Sequence, residues 1–336
     1  MAYDESNIRT LSSIEHIRQR PGMYIGRLGN GSHPEDGIYI LLKEVIDNSI
    51  DEFMEGNGSK IVVTLEGQKC SVRDYGRGIP LNKLIECVSV INTGAKYDNE
   101  AFQYSVGLNG VGTKAVNALS SYFEITSWRE GEYMHAVFER GVLKQKKKGK
   151  GDEPNGTFVS FIPDDDPAIF GKYTYNEEYI KERLWNYAYL NKGLTITFNG
   201  KTIRSPGGLM DLVKKILGDD GLYPLINYKS KSLEFSFTHT NGYGESYHSY
   251  VNGQYTSDGG THEAAFKEGV LKGINEFFHK SWAAPEIRDG TVATVAIKVM
   301  NPVFESQTKN KLGNTDVRAW ILPEVKAAVI DCLMKN

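Results

Sequence analysis

One stretch constrains the fold more than any other. Between residues 38 and 53 the apolar side chains Ile38, Leu41, Leu42, Val45, Ile46 and Phe53 recur at helical spacing and make one apolar face. The same helix carries Glu44, Asn48 and Asp51 at i, i+4 and i+7, which stacks them along one polar stripe. Gly56 and Gly58 end it. Two β-rich runs follow at 60–66 and 69–75, and Gly67-Gln68 between them suits a two-residue hairpin turn with glycine first. A carboxylate one turn from a carboxamide is a plausible water-activating base beside a metal ligand, and Mg²⁺ needs few protein oxygens because it keeps its waters. Acidic stripes are more often solvated helix faces, so the helix alone does not decide the chemistry.

Further along, an arm and a short helix occupy residues 1–20 and are closed by Pro21-Gly22. A helix is expected at 113–119, strands at 122–128, 133–139 and 157–162, a helix at 177–189 and a strand at 194–198. The composition breaks at Ser205-Pro206-Gly207-Gly208. Beyond the break lie strands at 233–239, 245–252 and 291–299, with a helix at 262–278. The pattern predicts an α+β domain over 1–205 and a smaller α/β domain over 206–336. The run Lys144 to Lys150 (KQKKKGK) reads as a solvated hairpin tip in preference to a DNA contact. Asp164-Asp165-Asp166 reads as a turn with a helix cap.

Composition removes several classes. No stretch approaches the ~18 apolar residues of a membrane helix, and the polar N-terminus has no apolar signal core. Cys70, Cys87 and Cys332 are odd in number and far apart, which fits a reduced, cytoplasmic setting rather than a disulfide framework. The seven histidines form no metal-binding spacing. The net charge of −3 gives no bulk attraction for nucleic acid. Glycine is in excess, with 35 residues in 336 against a usual ~7%.

Three further segments carry chemistry. Asp74-Tyr75-Gly76-Arg77-Gly78-Ile79-Pro80 follows a strand directly, and a carboxylate there accepts hydrogen bonds only, which suits an exocyclic amine. A plain tight turn would look the same. Gly107-Leu108-Asn109-Gly110-Val111-Gly112 runs into a helix at Thr113, where glycines allow close backbone approach and a helix start offers N–H groups to phosphate. Gly107 to Lys114 inverts the last two residues of a Walker A loop, and the glycine order is not that of a dinucleotide-binding turn. Glu305-Ser306-Gln307-Thr308-Lys309 places a lysine, a point-charge phosphate binder, on a loop of the second domain.

The order of these elements resembles the GHKL ATPase superfamily: ExxxN on a helix, DxGxGIP, Thr93-Gly94 with Lys96, GxxGxG at a helix start, then Gly156-Thr157 on a strand. Arg20 to Gly26 (RPGMYIG), Glu44 to Asn48 (EVIDN), Asp258 to His262 (DGGTH) and Gln307 to Lys309 (QTK) narrow the resemblance. They are similar to the ATPase subunit of bacterial type IIA topoisomerases, gyrase B or topoisomerase IV B, over essentially the whole chain. The implied fold is α+β: a GHKL (Bergerat) α/β sandwich followed by a ribosomal-protein-S5-like α/β transducer domain, truncated at its C-terminal end.

By this resemblance Glu44 is the general base, Asn48 ligates Mg²⁺ and Asp74 accepts from the adenine amino group with Thr157 in support. Gly107, Leu108, Asn109, Gly110, Val111 and Gly112 cradle the phosphates of ATP, with Lys96 nearby. Lys309, presented with Gln307, contacts the γ-phosphate. Arg77 and Pro80 with Arg129 line the edge of the adenine pocket, Asp51, Gly78 and Ile79 are further nucleotide-binding residues, and the arm carrying Tyr3 and Ile8 crosses to the partner and closes over its nucleotide. The implied partners are a second copy through the N-gate, the DNA-cleaving A subunit and duplex DNA, with no membrane and a cytoplasmic, nucleoid-associated location. Asn109, where gyrase commonly has histidine, and a short 81–92 loop lean towards topoisomerase IV. Arg288-Asp289-Gly290 matches the family's Arg-Glu-Gly only approximately. The family continues into further transducer helices and a TOPRIM domain, so the chain is expected to be an N-terminal part that handles ATP without cleaving DNA. The alternative is another GHKL protein, of mismatch-repair or chaperone type, acting as a nucleotide-gated clamp.

Overall fold

The computed structural model describes residues 10–94, 110–306 and 309–335. The chain divides into two compact units, residues 1–183 with 194–203, and residues 184–193 with 204–336.

Among the described residues the first element of the first unit is α1 (Ser13–Gln19), held by a capping box in which Ser12 Oγ accepts from Glu15 N at 3.3 Å and Glu15 accepts from Ser12 N at 2.8 Å. Helix α1 ends at Gln19, just before Pro21-Gly22, as expected. A further turn, α2 (Gly22–Ile25), starts there, because proline at a helix start removes no N–H that the helix uses. The long helix α3 (Gly37–Met54) follows. The buried carboxylate of Asp36 tethers the loop before it, accepting from Gly31 N at 2.9 Å and His33 N at 3.2 Å and pairing with Arg27 at 2.8 Å. Ile38, Leu41, Leu42, Val45, Ile46 and Ile50 are buried, each contributing about 1.5–3 kcal/mol.

The strands β1 (Lys60–Glu66) and β2 (Lys69–Asp74) form the expected hairpin, with Glu66 opposite Lys69 across Gly67-Gln68. After α4 (Leu84–Ser89) and α5 (Gly112–Ala118) come β3 (Ser120–Arg129), β4 (Glu132–Glu139), β5 (Val142–Lys150) and β6 (Gly156–Pro163). Then come α6 (Glu177–Leu190), whose last turns belong to the second unit, β7 (Thr195–Phe198) and β8 (Lys201–Ile203). The sheet order is β5-β4-β3-β6-β2-β1-β7-β8, antiparallel except for β1 beside β7. Helix α3 packs against β2 and β6, and α5 packs against α3, β3, β4 and β6.

Two readings of this unit need correction. The lysine run is not a hairpin tip: it is the outer edge strand β5, hydrogen-bonded along its length to β4 and exposed throughout except at Gly149. The sequence lacks the β-branched residues that advertise a strand, and pairing with β4 overrides that weak propensity. The aspartate run does form a turn, with Asp166 Oδ1 accepting from Ala168 N at 2.9 Å, but no helix follows it. Asp164 has a separate task. It is fully buried and pairs with Arg18 at 2.8 Å and with Arg140 through Nε at 2.9 Å and Nη2 at 3.1 Å.

Burial pushes the Asp164 carboxyl upward, but the bonds from Arg140 and Arg18 more than offset this and hold it below its ordinary value. Its contribution to stability is therefore present above the unfolded carboxylate range and is lost as pH falls through the lower folded value. Asp164→Ala is expected to destabilise the chain by about 3 kcal/mol and to flatten the acid limb of its stability profile. Denaturant unfolding at pH 7 and pH 3 measures both effects, and an unchanged midpoint at pH 7 would refute the assignment.

The second unit contains α7 (Leu209–Leu217), β9 (Ile226–Lys229), β10 (Leu233–His239), β11 (Ser246–Val251), β12 (Gln254–Tyr255), α8 (Thr261–Phe278), α9 (Ala284–Arg288), β13 (Thr291–Ile297) and α10 (Val317–Lys335). Its sheet order is β12-β11-β13-β10-β9, with β11 and β13 parallel. Ser205 to Gly208 is no loose linker, since the Asp211 carboxylate accepts from Ser205 Oγ at 2.7 Å and Gly207 N at 2.8 Å. Helices α8 and α10 pack together, with Val325 against Gly269 and Val329 against Gly273. Phe235, Phe237, Phe266 and Val295 fill the core.

Candidate functional site

The polar stripe of α3 faces the start of α5. Glu44 and Asn48 are half-buried, and Asn48 Nδ2 donates to Thr113 Oγ1 at 2.9 Å. The Glu44 carboxylate lies against Gly112, where an added Cβ would stand 1.9 Å from Glu44 Oε2. Only glycine lets this helix start approach the carboxylate so closely. Asp51, the third member of the predicted stripe, has no accessible surface, and Glu52, a further i+4 step from Asn48, also continues the stripe.

At the end of β2, Asp74 is nearly buried. Its Oδ1 accepts from Gly76 N at 3.0 Å and Thr157 N at 3.1 Å, and its Oδ2 accepts from Ser49 Oγ at 3.2 Å. Burial raises its pKa, and the two main-chain donors only partly oppose that. The loop that follows is braced on both sides. Arg77 forks onto Glu52, with Nε at 3.1 Å and Nη2 at 2.9 Å, while its backbone N donates to Glu52 at 2.8 Å. An ion pair this exposed adds little stability, so its effect is orientation. Arg129 Nη1 donates to Gly78 O at 3.4 Å and Ser127 Oγ to Ile79 O at 2.8 Å, while Pro80 is exposed. The first unit thus brings Glu44, Asn48, Gly112 and Thr113 to one point. It brings Asp74, Thr157, Arg77, Gly78, Ile79 and Arg129 to the strand end. Ser49, Glu52 and Ser127 were not read from sequence. Glu52 had a signal in its spacing, whereas Ser49 and Ser127 had none.

Gly110 is half-buried with φ +58, and Val111 precedes the first turn of α5. Tyr3, Ile8, Lys96, Gly107, Leu108, Asn109 and Gln307 lie outside the described residues. Among the described residues no group of three or more His, Cys, Asp or Glu side chains could hold a metal ion, and no helix is long and apolar enough to cross a membrane.

In the second unit Lys309 is largely buried with φ +59, and its N donates to Ser306 O at 3.0 Å. Left-handed backbone is costly for a lysine and needs support from its surroundings. The DGGTH segment at the start of α8 gives that support. Asp258 N donates to Asn310 O at 3.0 Å, Thr261 N to Leu312 O at 3.1 Å, and Leu312 N to Gly259 O at 3.2 Å. Gly260, at φ +136, would drive a Cβ to 2.5 Å from Leu312 N and O. His262 beside it is buried, which pushes its pKa down to about 3, and its Nε2 lies 3.2 Å from Thr256 Oγ1.

Residues 33–167 match the family of histidine kinase-, DNA gyrase B- and HSP90-like ATPases, and residues 201–336 match the family DNA gyrase B. The chain is 55% identical to the B subunit of DNA topoisomerase 4 from Borreliella burgdorferi over 99% of its own length and 56% of that protein. It is 35% identical to the B subunit of DNA gyrase from Thermus thermophilus over 100% of its own length and 57% of that protein. It therefore spans about half the length of the curated relatives it matches. The ATPase domain of Thermus thermophilus gyrase B, solved with an aminocoumarin, superposes with a TM-score of 0.76 at 29% identity, covering 97% of this chain and 91% of that one. The ATPase region of Saccharomyces cerevisiae topoisomerase II shares the fold, with a TM-score of 0.77 at 20% identity and coverage of 98% and 99%.

Proposed function

Because the chain belongs to the ATPase-subunit family of the bacterial type IIA DNA topoisomerases, we propose that it binds and hydrolyses ATP for a topoisomerase, of the topoisomerase IV kind. The observation that carries the proposal is the closeness of Glu44 to Gly112 at the head of α5. Phosphoryl transfer to water is mostly positioning and charge stabilisation, so a base, a phosphate cradle and a cation suffice. In this reading Glu44 accepts the proton of the attacking water. Asp74 accepts from the adenine amino group, and Thr157 N keeps its carboxylate turned towards the base. Gly110, Val111 and Gly112, with the segment before them, receive the phosphates.

Asn48 fits a Mg²⁺ ligand. Its Nδ2 donates to Thr113, its amide oxygen would be the ligating atom, and Mg²⁺ accepts a single protein oxygen with waters and phosphate completing its shell. The ion would neutralise phosphate charge. Lys309 and Gln307 are the γ-phosphate contacts, and the left-handed backbone at Lys309 is consistent with a fixed presentation of that side chain.

The identity of 55% to the topoisomerase 4 relative, against 34–35% to the gyrase B chains, supports the topoisomerase IV kind. The gyrase B match over 201–336 favours a topoisomerase over a mismatch-repair or chaperone ATPase. The partners are a second copy through the N-gate, a DNA-cleaving A subunit and duplex DNA, and the location is cytoplasmic. The full-length protein reconstituted with its A subunit should decatenate DNA with ATP and introduce no negative supercoils. Supercoiling would assign it to gyrase, and ATP-independent behaviour in both assays would defeat the proposal.

A further inference from the structure

We infer that β5, the outer strand of the first unit's sheet, is a contact surface for the phosphate backbone of duplex DNA. Five lysines, Lys144, Lys146, Lys147, Lys148 and Lys150, fall within seven consecutive residues of an exposed edge strand in a chain whose net charge is −3. Pairing with β4 fixes how they project. Lys146, Lys148 and Lys150 stand opposite Ala136, Met134 and Glu132 and share one face, about 6.8 Å apart, while Lys147 stands opposite His135 on the other. On that second face the Tyr133 ring lies over Gly149, where an added Cβ would meet it at 2.9 Å. The cations thus form a straight, regularly spaced row on a rigid element rather than a flexible tail.

Local acids neutralise only part of the row. Glu139 lies 3.4 Å from Lys144 and Glu132 lies 3.7 Å from Lys148, both pairs half-exposed. Among the described residues no carboxylate is within ion-pair distance of Lys146, Lys147 or Lys150. Asp152 and Glu153 follow the strand, and Glu153 acts on Arg73. Lysine on an edge strand also deters pairing with other sheets, but a short edge with one or two charges achieves that. Lys146, Lys147 and Lys150, with no ion pair among the described residues, supply from the two faces of one strand what a phosphate backbone takes up with release of counterions. The choice of duplex DNA, rather than another polyanion, rests on the function proposed above. The excess of positive charge does not.

The test uses the whole chain and a labelled 30-base-pair duplex, with binding followed by fluorescence anisotropy across 50–200 mM KCl. The triple variant Lys146→Gln, Lys147→Gln, Lys150→Gln is expected to bind at least about 10-fold more weakly at low salt. Its slope of log affinity against log salt should be shallower by about 2.7, near 0.9 for each lysine neutralised. A charge-matched variant, Lys201→Gln, Lys214→Gln, Lys280→Gln, removes three exposed lysines elsewhere and should behave as the unaltered chain. Equal losses in both variants, or no salt-dependent binding by the unaltered chain, overturn the inference. So does stronger binding to an anionic phospholipid vesicle than to the duplex. Nucleotide binding by the same chain without DNA is measured in parallel. Its absence would defeat the ATPase reading and leave the DNA result to be judged separately.

Discussion

Glu44→Ala should still bind nucleotide, within about threefold of the unaltered chain, and should lose at least about 100-fold in turnover. General-base catalysis is worth 10²–10⁴-fold, and the substitution leaves the residues assigned to adenine in place. The geometry gives an independent route to the same defect. A methyl group on Gly112 would occupy space now held by the Glu44 carboxylate, so Gly112→Ala should displace an intact base and lower turnover with Glu44 unchanged. Rearranging that contact also strains the head of α5, so Gly112→Ala is expected to weaken nucleotide binding as well, which Glu44→Ala is not. Phosphate release under saturating Mg-ATP, alongside nucleotide titration by calorimetry, separates the two variants. Turnover of Glu44→Ala like that of the unaltered chain would remove Glu44 from the mechanism.

What the sequence disclosed followed from how local each signal was. The hairpin of β1 and β2 was legible because a two-residue turn with glycine first sets its register, and the register found places Glu66 opposite Lys69. The polar stripe was legible as a period, but a period does not say how far a helix is rotated against its sheet. Asp51 and Glu52 are adjacent, and packing of α3 against β2 and β6 turned the first inward and the second towards Arg77. Helix α10 was not expected from the sequence, because Pro323 lies within it and its buried residues Val317, Ile321, Val325 and Val329 do not stand out from the apolar residues around them. Asp164 could not be found at all, because its partners Arg18 and Arg140 are far away in sequence and only the fold unites them. The fold-bearing elements were thus written mostly in local pattern, while the bracing of the site by Ser49 and Ser127 depends on contacts that no spacing rule encodes.

Asp74→Asn should weaken nucleotide binding by about 10- to 100-fold, equivalent to 1.5–3 kcal/mol for a hydrogen bond to a charged group. It should do so without lowering the melting temperature. Both signs come from the same geometry. Two main-chain N–H groups, of Gly76 and Thr157, converge on Oδ1, so an asparagine must place its oxygen there and its NH₂ in the position of Oδ2. A ligand amine would then meet a donor where it now meets an acceptor. Ser49 Oγ, which donates to Oδ2 at present, can reverse and accept, so the amide is not left unsatisfied. The upward pKa shift means that the folded chain resists the charge on Asp74, so its protonated form favours folding. That contribution is full below the unfolded carboxylate pKa and is lost as pH rises through the folded value, which leaves a cost at neutral pH. Asparagine removes this cost. Nucleotide affinity of the unaltered chain should therefore fall on acidification at a pH above the ordinary carboxylate range, and the affinity of Asp74→Asn should lack that step. Calorimetric titration from pH 4.5 to 8 and thermal unfolding at pH 7.5 read the two effects. A variant that melts several degrees lower and binds nucleotide normally would make Asp74 a structural residue and remove it from the adenine site.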